Sequence, residues 1–412
     1  MRQHRQGRGG QRAASGRADP QGDRLAVADR PPARAPRRRA AAPCQRRPGQ
    51  GRARFRNDGQ NRGRSRTIPP LAGRSSRGRA GEQDRGDPEL GSLDGARLAG
   101  RRVGVTGGGG FIGSHLIAGL LGEGADVEIL GPTSTQRPEI RGLIDSSAVG
   151  YWPRALLDDR SLGRALRRCD SIVHLYYRRP SGRSLWEQLA GEVLANLLPT
   201  IRVLVAAQAA NVRHVCFAST TTVYTPPARG VTESAPVGGA VSPYALVKLE
   251  QESWIRQWSN LNDRRAAILR LATVYGPGET VSRAIPNFIR AAVKGRTPTL
   301  DGHGREPFDL IHVGDVSEAF VRALSSHADG TFNIGTGAGH TPRELAELIL
   351  RICGGDVTPA ENHLVSERGG TICDVSRAAS VLGFVATTPL AAGLEGEIEW
   401  FRGSRHRTRV PA

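Results

Sequence analysis

The sequence predicts an α/β fold: a doubly wound parallel sheet of Rossmann type with a smaller C-terminal α/β substrate lobe, behind a disordered basic N-terminal tail. Three observations predict it. From residue 101 onward, short apolar segments alternate with helically patterned ones, which implies βαβ units covered on both faces. A glycine run, Thr106-Gly107-Gly108-Gly109-Gly110-Phe111-Ile112-Gly113, stands directly between the first apolar segment and the first helical one. Tyr244 and Lys248 stand four apart on a helical segment, and Lys248 is one of only two lysines among 412 residues.

The first hundred residues carry 24 Arg, no Lys and nine acids, with Phe55 as the single aromatic. Such a stretch cannot bury enough apolar surface to offset chain entropy, so 1–98 is expected to be disordered. Arginine runs bind phosphate without sequence preference. We favour instead upstream sequence joined by a mis-assigned start, with the native protein beginning near 92–102, so a nucleic-acid partner is not expected. No apolar core of the kind a secretory signal needs follows the charges. The other 312 residues hold 34 basic and 30 acidic residues, so the high isoelectric point belongs to the tail. No run of about 18 apolar residues stands out, which argues against a membrane span. Five scattered cysteines (Cys44, Cys169, Cys216, Cys353, Cys373) without a C-x-x-C pair fit the cytoplasm and no bound metal.

Element by element, Arg102–Thr106 reads as the first strand and Phe111–Leu121 as the first helix. Strands follow at Asp126–Leu130, Ser171–Leu175, His214–Ser219 and Ala266–Leu271. Helices are expected at Asp159–Arg168, Leu185–Asn211 (bent at Pro199) and Pro243–Trp258. After Tyr275-Gly276-Pro277 the texture changes to short strands (Thr297–Leu300, Phe308–His312, Thr331–Ile334) between helices (Val316–Leu324, Pro342–Ile352, Ser376–Leu382, Leu390–Trp400). The expected division is 99–276 as a dinucleotide-binding domain and 277–404 as mainly a substrate-binding lobe, with the ligand cleft at the C-terminal strand ends.

In the glycine run, Gly107 permits a tight turn, Gly110 lets backbone N–H groups approach a pyrophosphate, and Gly113 lets helix and strand pack closely. Phe111 and Ile112 would pack into the sheet. Spacing of four puts Tyr244 and Lys248 on one helix face. An ammonium beside a phenol favours the phenolate, so the pair is a candidate general base with a lowered Tyr pKa. A chain that writes almost every positive charge as Arg has kept Lys here, which suggests a seat too small for a guanidinium.

These segments together resemble the extended short-chain dehydrogenase/reductases, in particular the NAD-dependent epimerase/dehydratase group acting on nucleotide sugars. The resemblance covers about residues 100–403. It rests on Thr106–Leu116, Val173-His174-Leu175, Phe217–Tyr224, Ser242–Lys248, Leu269–Pro277, Asp309–Asp315 and Phe332–Gly335. It implies Thr220, Tyr244 and Lys248 as the catalytic group, with Thr221 or Thr222 as substitutes if the register slips by one. Tyr244 would take a proton from a sugar hydroxyl, Lys248 would hold the nicotinamide ribose, Ser242 would cap the helix, and Asn196 would support the group through backbone contacts.

The departures bear on cofactor and substrate. Gly131 stands where users of NAD carry an acid for the ribose, so NADP is possible, with Thr133, Ser134 or Arg137 to meet its phosphate. Ala155 replaces an adenine-contacting Asp, with Asp158 nearby, and Tyr176-Tyr177 replace small alanines. No acid follows Thr220, so dehydration is not expected. Phe308 stands where an Arg often clamps the diphosphate before Asp309; Arg305 and Arg368 are the candidate substitutes. The resemblance therefore implies an NAD-dependent nucleotide-sugar epimerase that transiently oxidises a ring hydroxyl to a ketone. An NADPH-dependent ketone or aldehyde reductase and a non-catalytic dinucleotide-binding regulator are the alternatives. A homodimer through Leu185–Asn211 and Pro243–Trp258 is expected.

Overall fold

The computed structural model describes residues 96–132, 137–182, 184–225, 228–238, 242–261, 264–301, 303–355, 358–362 and 370–407, which belong to one compact unit. Of the tail expected to be disordered, 1–98, residues 1–95 lie outside them; 96–98 depart from that expectation, because Leu98 is fully buried in the sheet core and Arg97 pairs with Glu123 and Glu318. Seven parallel strands form the main sheet: β1 (Arg102–Thr106), β2 (Asp126–Leu130), β3 (Gly150–Trp152), β4 (Ser171–His174), β5 (His214–Thr220), β7 (Arg265–Leu271) and β11 (Gly330–Ile334), in the order β3-β2-β1-β4-β5-β7-β11. The chain crosses from one side of β1 to the other between β3 and β4. This is the switch point at whose carboxyl end ligands bind in doubly wound sheets. Strands β1, β4 and β5 are buried along almost their whole length, as a sheet covered on both faces requires. β11 comes from beyond residue 277, so the second half of the chain adds the last strand of the main sheet as well as its own elements.

Helices α1 (Phe111–Gly122) and α8 (Val313–Ser325) cover one face over a core that includes Leu116, Ile117, Leu120, Ile129 and Phe320. The other face is covered by α3 (Asp159–Leu166), by a continuous helical run and by α6 (Pro243–Asn260), over Leu166, Val203, Phe217 and Ile255. That run comprises α4 (Leu185–Glu192), a π-helical turn (Val193–Leu197) and α5 (Leu198–Ala209). Pro199 explains the π turn: its ring would clash with the carbonyl four residues back, and the wider turn removes the clash without a break. The run buries one stripe, Glu192, Asn196, Thr200, Val203, Leu204 and Ala207. Its polar members lie toward the carboxyl ends of the strands.

This run also corrects one sequence expectation. Leu185–Ala209 contains an 18-residue window of mean hydropathy 1.5, so by length and composition it is apolar enough to span a membrane. Its several short apolar pieces hid that length.

The rest of the described chain adds three smaller sheets. β8 (Thr273–Tyr275), β10 (Phe308–His312) and β12 (Gly339–His340) form a small sheet. The pair β9 (Thr299–Asp301) and β13 (Ala360–Asn362) and the pair β6 (Ala228–Val231) and β14 (Thr371–Cys373) are parallel. A separate apolar cluster joins Tyr275, Phe288 and Ile289 of α7 (Ala284–Ala292), Leu345 and Ile349 of α9 (Pro342–Cys353), and Leu394 and Ile398 of α11 (Leu390–Arg407).

Candidate active site

The glycine turn closes tightly between β1 and α1. Gly107 has φ +72°, and a Cβ there would stand 3.0 Å from the Tyr176 backbone. Gly110 donates its N–H to the Gly107 carbonyl at 2.9 Å. A Cβ at Gly113 would overlap the Gly107 carbonyl oxygen and stand 2.7 Å from Gly108 Cα. Gly110 opens α1 with no side chain capping it, so the first-turn N–H groups and the helix dipole are presented to an anion. Phe111 and Ile112 are partly buried against the sheet core. These residues fit a dinucleotide pyrophosphate: the turn has no space for side chains and leaves main-chain donors at its rim.

Past the turn, the ribose end differs from the common pattern. Gly131 follows β2 with φ +106°, a backbone conformation that strains any residue with a Cβ, and a Cβ there would crowd Leu156 Cδ1 at 2.9 Å. Asp158 is spent as the N-cap of α3, accepting from the N–H groups of Arg160 and Ser161. Ala155 is buried. Arg137 is held by Gly278 O at 2.8 Å and Ser114 Oγ at 3.3 Å. Thr133 and Ser134 lie outside the described residues.

The second part of the site lies at the carboxyl end of β5. Thr220 is its last residue, and its side chain acts on the Tyr244 phenol, pulling the phenol pKa down. Its Oγ1 also accepts from the Thr222 N–H at 3.2 Å, which fixes the rotamer. Of the three threonines, Thr220 is the one whose side chain acts on Tyr244. Ser242 caps α6 by accepting from Ala245 N–H at 3.1 Å with Pro243 at the first position, which sets the direction in which Tyr244 and Lys248 leave the helix. Lys248 is buried; its Nζ donates to Ala218 O at 2.8 Å and sits 4.6 Å from the Phe217 ring centroid.

The electrostatics correct the expected lowering of the Tyr244 pKa. Burial pushes the phenol up, and the Thr220 side chain and the charge of Arg283 only partly offset this. Lys248 is itself pushed down to about 7 by burial, with Glu192 and Glu252 pulling it back. Its Nζ lies 5.9 Å from the Tyr244 ring centroid and is aimed at a carbonyl. Low dielectric disfavours both charged forms, so without a bound cofactor the pair does not hold a ready phenolate.

Several supporting residues carry no sequence motif. Asn196 is fully buried in the π turn and clamps the Arg178 peptide, accepting from its N–H at 2.8 Å and donating to its carbonyl at 2.9 Å; the backbone contacts implied by the resemblance are present. Tyr177 packs edge-on against Tyr244, with centroids 4.9 Å apart, and donates to Glu192 Oε1 at 2.8 Å. His174 bridges Thr106 Oγ1 at 2.7 Å and Thr200 Oγ1 at 2.9 Å. Thr200 already donates to Asn196 O, so His174 donates through Nε2 and accepts through Nδ1. Burial holds it neutral, at about 3. Behind Lys248, Glu252 pairs with Arg270 at 2.8 Å and accepts from Ser219 at 2.5 Å.

On the substrate side, Arg305 is exposed on the loop entering β10, and Arg368 lies outside the described residues. Asp309 is buried and accepts from Thr336 N–H and Oγ1 and from Gly337 N–H, so it orders the loop after β11. Arg283, at the start of α7, is a cation whose field reaches Tyr244; no spacing rule singled it out.

A glycine turn at the switch point after β1, with Thr220, Tyr244 and Lys248 at the carboxyl end of β5, two strands away in the same sheet, defines the extended short-chain dehydrogenase/reductase class. Residues 103–335 match the description of the NAD dependent epimerase/dehydratase family. The chain belongs to that family. It is 35% identical over 312 residues to a UDP-glucose 4-epimerase of Mycolicibacterium smegmatis, covering 72% of this chain and 97% of the relative. A dTDP-glucose 4,6-dehydratase of an Actinoplanes species is 26% identical, covering 73% and 98%. Among solved structures, MoeE5 in complex with UDP-glucose and NAD is 30% identical with TM-score 0.63, covering 74% of this chain and 99% of that one. The Thermus thermophilus UDP-glucose 4-epimerase complex with NAD is 27% identical with TM-score 0.65 and the same coverage.

Proposed function

We propose that the chain is an NAD-dependent nucleotide-sugar epimerase that inverts a ring carbinol, C4 of a UDP-hexose first among them, through a transient ketone. The observation that carries it is the gathering of Thr220 at the end of β5 with Tyr244 and the buried Lys248, whose Nζ lies 5.9 Å from the Tyr244 ring centroid, at the carboxyl ends of the sheet that carries the glycine turn. The turn 107–113 would hold the pyrophosphate, and Lys248 the nicotinamide ribose. NAD supplies the hydride acceptor, and its oxidised ring brings positive charge to the site. Tyr244 Oη takes the hydroxyl proton and later returns it. Thr220 Oγ1 orients the phenol. Lys248, pulled from the Ala218 carbonyl, lends its charge to the phenolate. The relatives include dehydratases, but the two residues after Thr220 are Thr221 and Thr222, which offer no carboxylate to expel water. With no acid at Gly131, NADP is the second cofactor reading.

Incubation of the purified chain with UDP-glucose should give UDP-galactose by anion-exchange chromatography, with no net change in absorbance at 340 nm. Stoichiometric consumption of added NADPH with a ketone substrate would favour the reductase reading instead. No conversion of any UDP-hexose by protein loaded with NAD would overturn the proposal.

The domain division at 276/277, with 277–404 mainly a substrate lobe, is part of the same proposal; the separate apolar cluster around Phe288, Leu345 and Leu394 supports it. Arg305 and Arg368 are its proposed diphosphate contacts. The cytoplasm is the proposed compartment, since the described cysteines are all free.

A homodimer is proposed through α4–α5 and α6. Trp186 (77% exposed), Leu194 (68%), Val205 (64%) and Trp254 (47%) are large apolar side chains exposed on these helices, which a second copy would cover. Light scattering should give twice the chain mass for the wild type. Leu194→Arg together with Val205→Arg should give the single-chain mass; an unchanged mass would exclude this interface.

A further inference from the structure

Glu192 is a buried carboxylate, 3% exposed, near the proton-transferring group but outside every motif of the site. Tyr177 Oη donates to its Oε1 at 2.8 Å and Asn196 Nδ2 to its Oε2 at 2.6 Å. The Asn196 amide is fixed in this sense because its Oδ1 accepts from the Arg178 N–H. No cationic nitrogen among the described residues stands within 4.0 Å of the carboxylate, and none of the ion pairs there includes Lys248. A buried charge without a counter-charge is costly.

Tyr177 spans the two groups. Its hydroxyl is on Glu192, and its ring centroid is 5.7 Å from Lys248 Nζ and 4.9 Å from the Tyr244 ring. A small side chain at 177 could not make that link. We propose that Glu192 is the distant counter-ion of Lys248, held in place by Tyr177 and Asn196, and that this set of positioning residues fixes the charge beneath Tyr244. The proposal rests on the epimerase reading only for what Tyr244 and Lys248 do in turnover.

The fields agree with the geometry. After burial, Glu192 is the first charge acting on Lys248, raising it, and it also raises Tyr244. The other groups facing this set are Glu252 and His174 toward Lys248, Thr220 and Arg283 toward Tyr244, and Arg179 toward Tyr177. Each would stay in place when Glu192 is neutralised.

The chain allows a direct test, because Lys248 and Lys294 are its only lysines. Protein labelled with 13Cε-lysine gives two signals, assigned with Lys294→Arg, and the Lys248 signal is followed against pH. In Glu192→Gln its midpoint should fall by about one pH unit, the scale of losing one nearby opposite charge. Tyr177→Phe should lower it by less, and Glu192→Asp should keep it closer to wild type than Gln does. An unmoved midpoint in folded Glu192→Gln overturns the proposal. If that variant does not fold, an unmoved midpoint in Tyr177→Phe does. These titrations need no substrate, so they decide the matter even if no epimerase activity is found. Where activity is present, both limbs of the kcat–pH profile should move to lower pH in Glu192→Gln. A fall in kcat with both limbs unmoved would mean a structural role alone.

Discussion

Replacing Tyr244 with Phe should lower kcat for UDP-hexose epimerisation about a thousandfold, the range expected for removing a positioned acid–base group. The substitution removes one oxygen and keeps the ring that packs edge-on against Tyr177. Thr220 keeps its bond to the Thr222 N–H, so the strand end should not move. The melting temperature and the dinucleotide retained on purification should therefore match wild type. Steady-state kinetics with UDP-glucose and mass spectrometry of released nucleotides check both halves. An active Phe variant would remove Tyr244 from the chemistry. A variant that lost its nucleotide would show that the phenol serves binding instead. Because burial raises the free phenol, the expected loss reflects the loaded site, where positive charge accumulates, and not a phenolate stored in the protein.

The parts of this site legible in the sequence are those fixed by short-range rules. The glycine turn could be read because only residues without Cβ fit the close approaches at Gly107 and Gly113. The strand at Arg102–Thr106, the strand at Asp126–Leu130 and the cap at Ser242 could be read for the same local reasons. Strand β3 was missed because three half-buried residues, Gly150–Trp152, carry no period long enough to count. The π turn was missed because only a bend at Pro199 could be inferred, not the way the helix absorbs it. Glu192 had a faint signal, an acid one helical turn before Asn196, but its role depends on Tyr177 arriving from the end of β4, fifteen residues earlier. The Tyr244 pKa went the other way for a related reason. Spacing gave the nearness of an ammonium, whereas burial, a property of the whole fold, decided the sign.

Burial also governs the largest stability effect expected. Arg270 of β7 holds Glu252 of α6 through two bonds, Nε to Oε1 at 3.0 Å and Nη2 to Oε2 at 2.8 Å, and its Nη1 donates to Tyr224 Oη at 2.9 Å. Glu252 is fully buried. Arg270→Met keeps much of the volume but leaves that carboxylate with Ser219 and the half-exposed Arg256 alone. Breaking a buried pair on one side costs about 3–5 kcal/mol, read as the change in unfolding free energy in urea at pH 7. The sign with pH follows from the competing causes. Burial pushes the Glu252 carboxyl up, but Arg270, Ser219 and Arg256 together bring it below its usual value. Its contribution in the wild type is therefore present above the unfolded carboxyl pKa, about 4.3, and is lost as pH falls through the lower folded value. Without Arg270, burial prevails and the folded pKa rises above the unfolded one. The variant then loses stability as pH rises through that range. The gap between the two proteins should be widest near neutrality and narrow toward pH 4. A gap that stays constant with pH would mean that Met packs badly at 270, and that the charge on Glu252 is not what the arginine was holding.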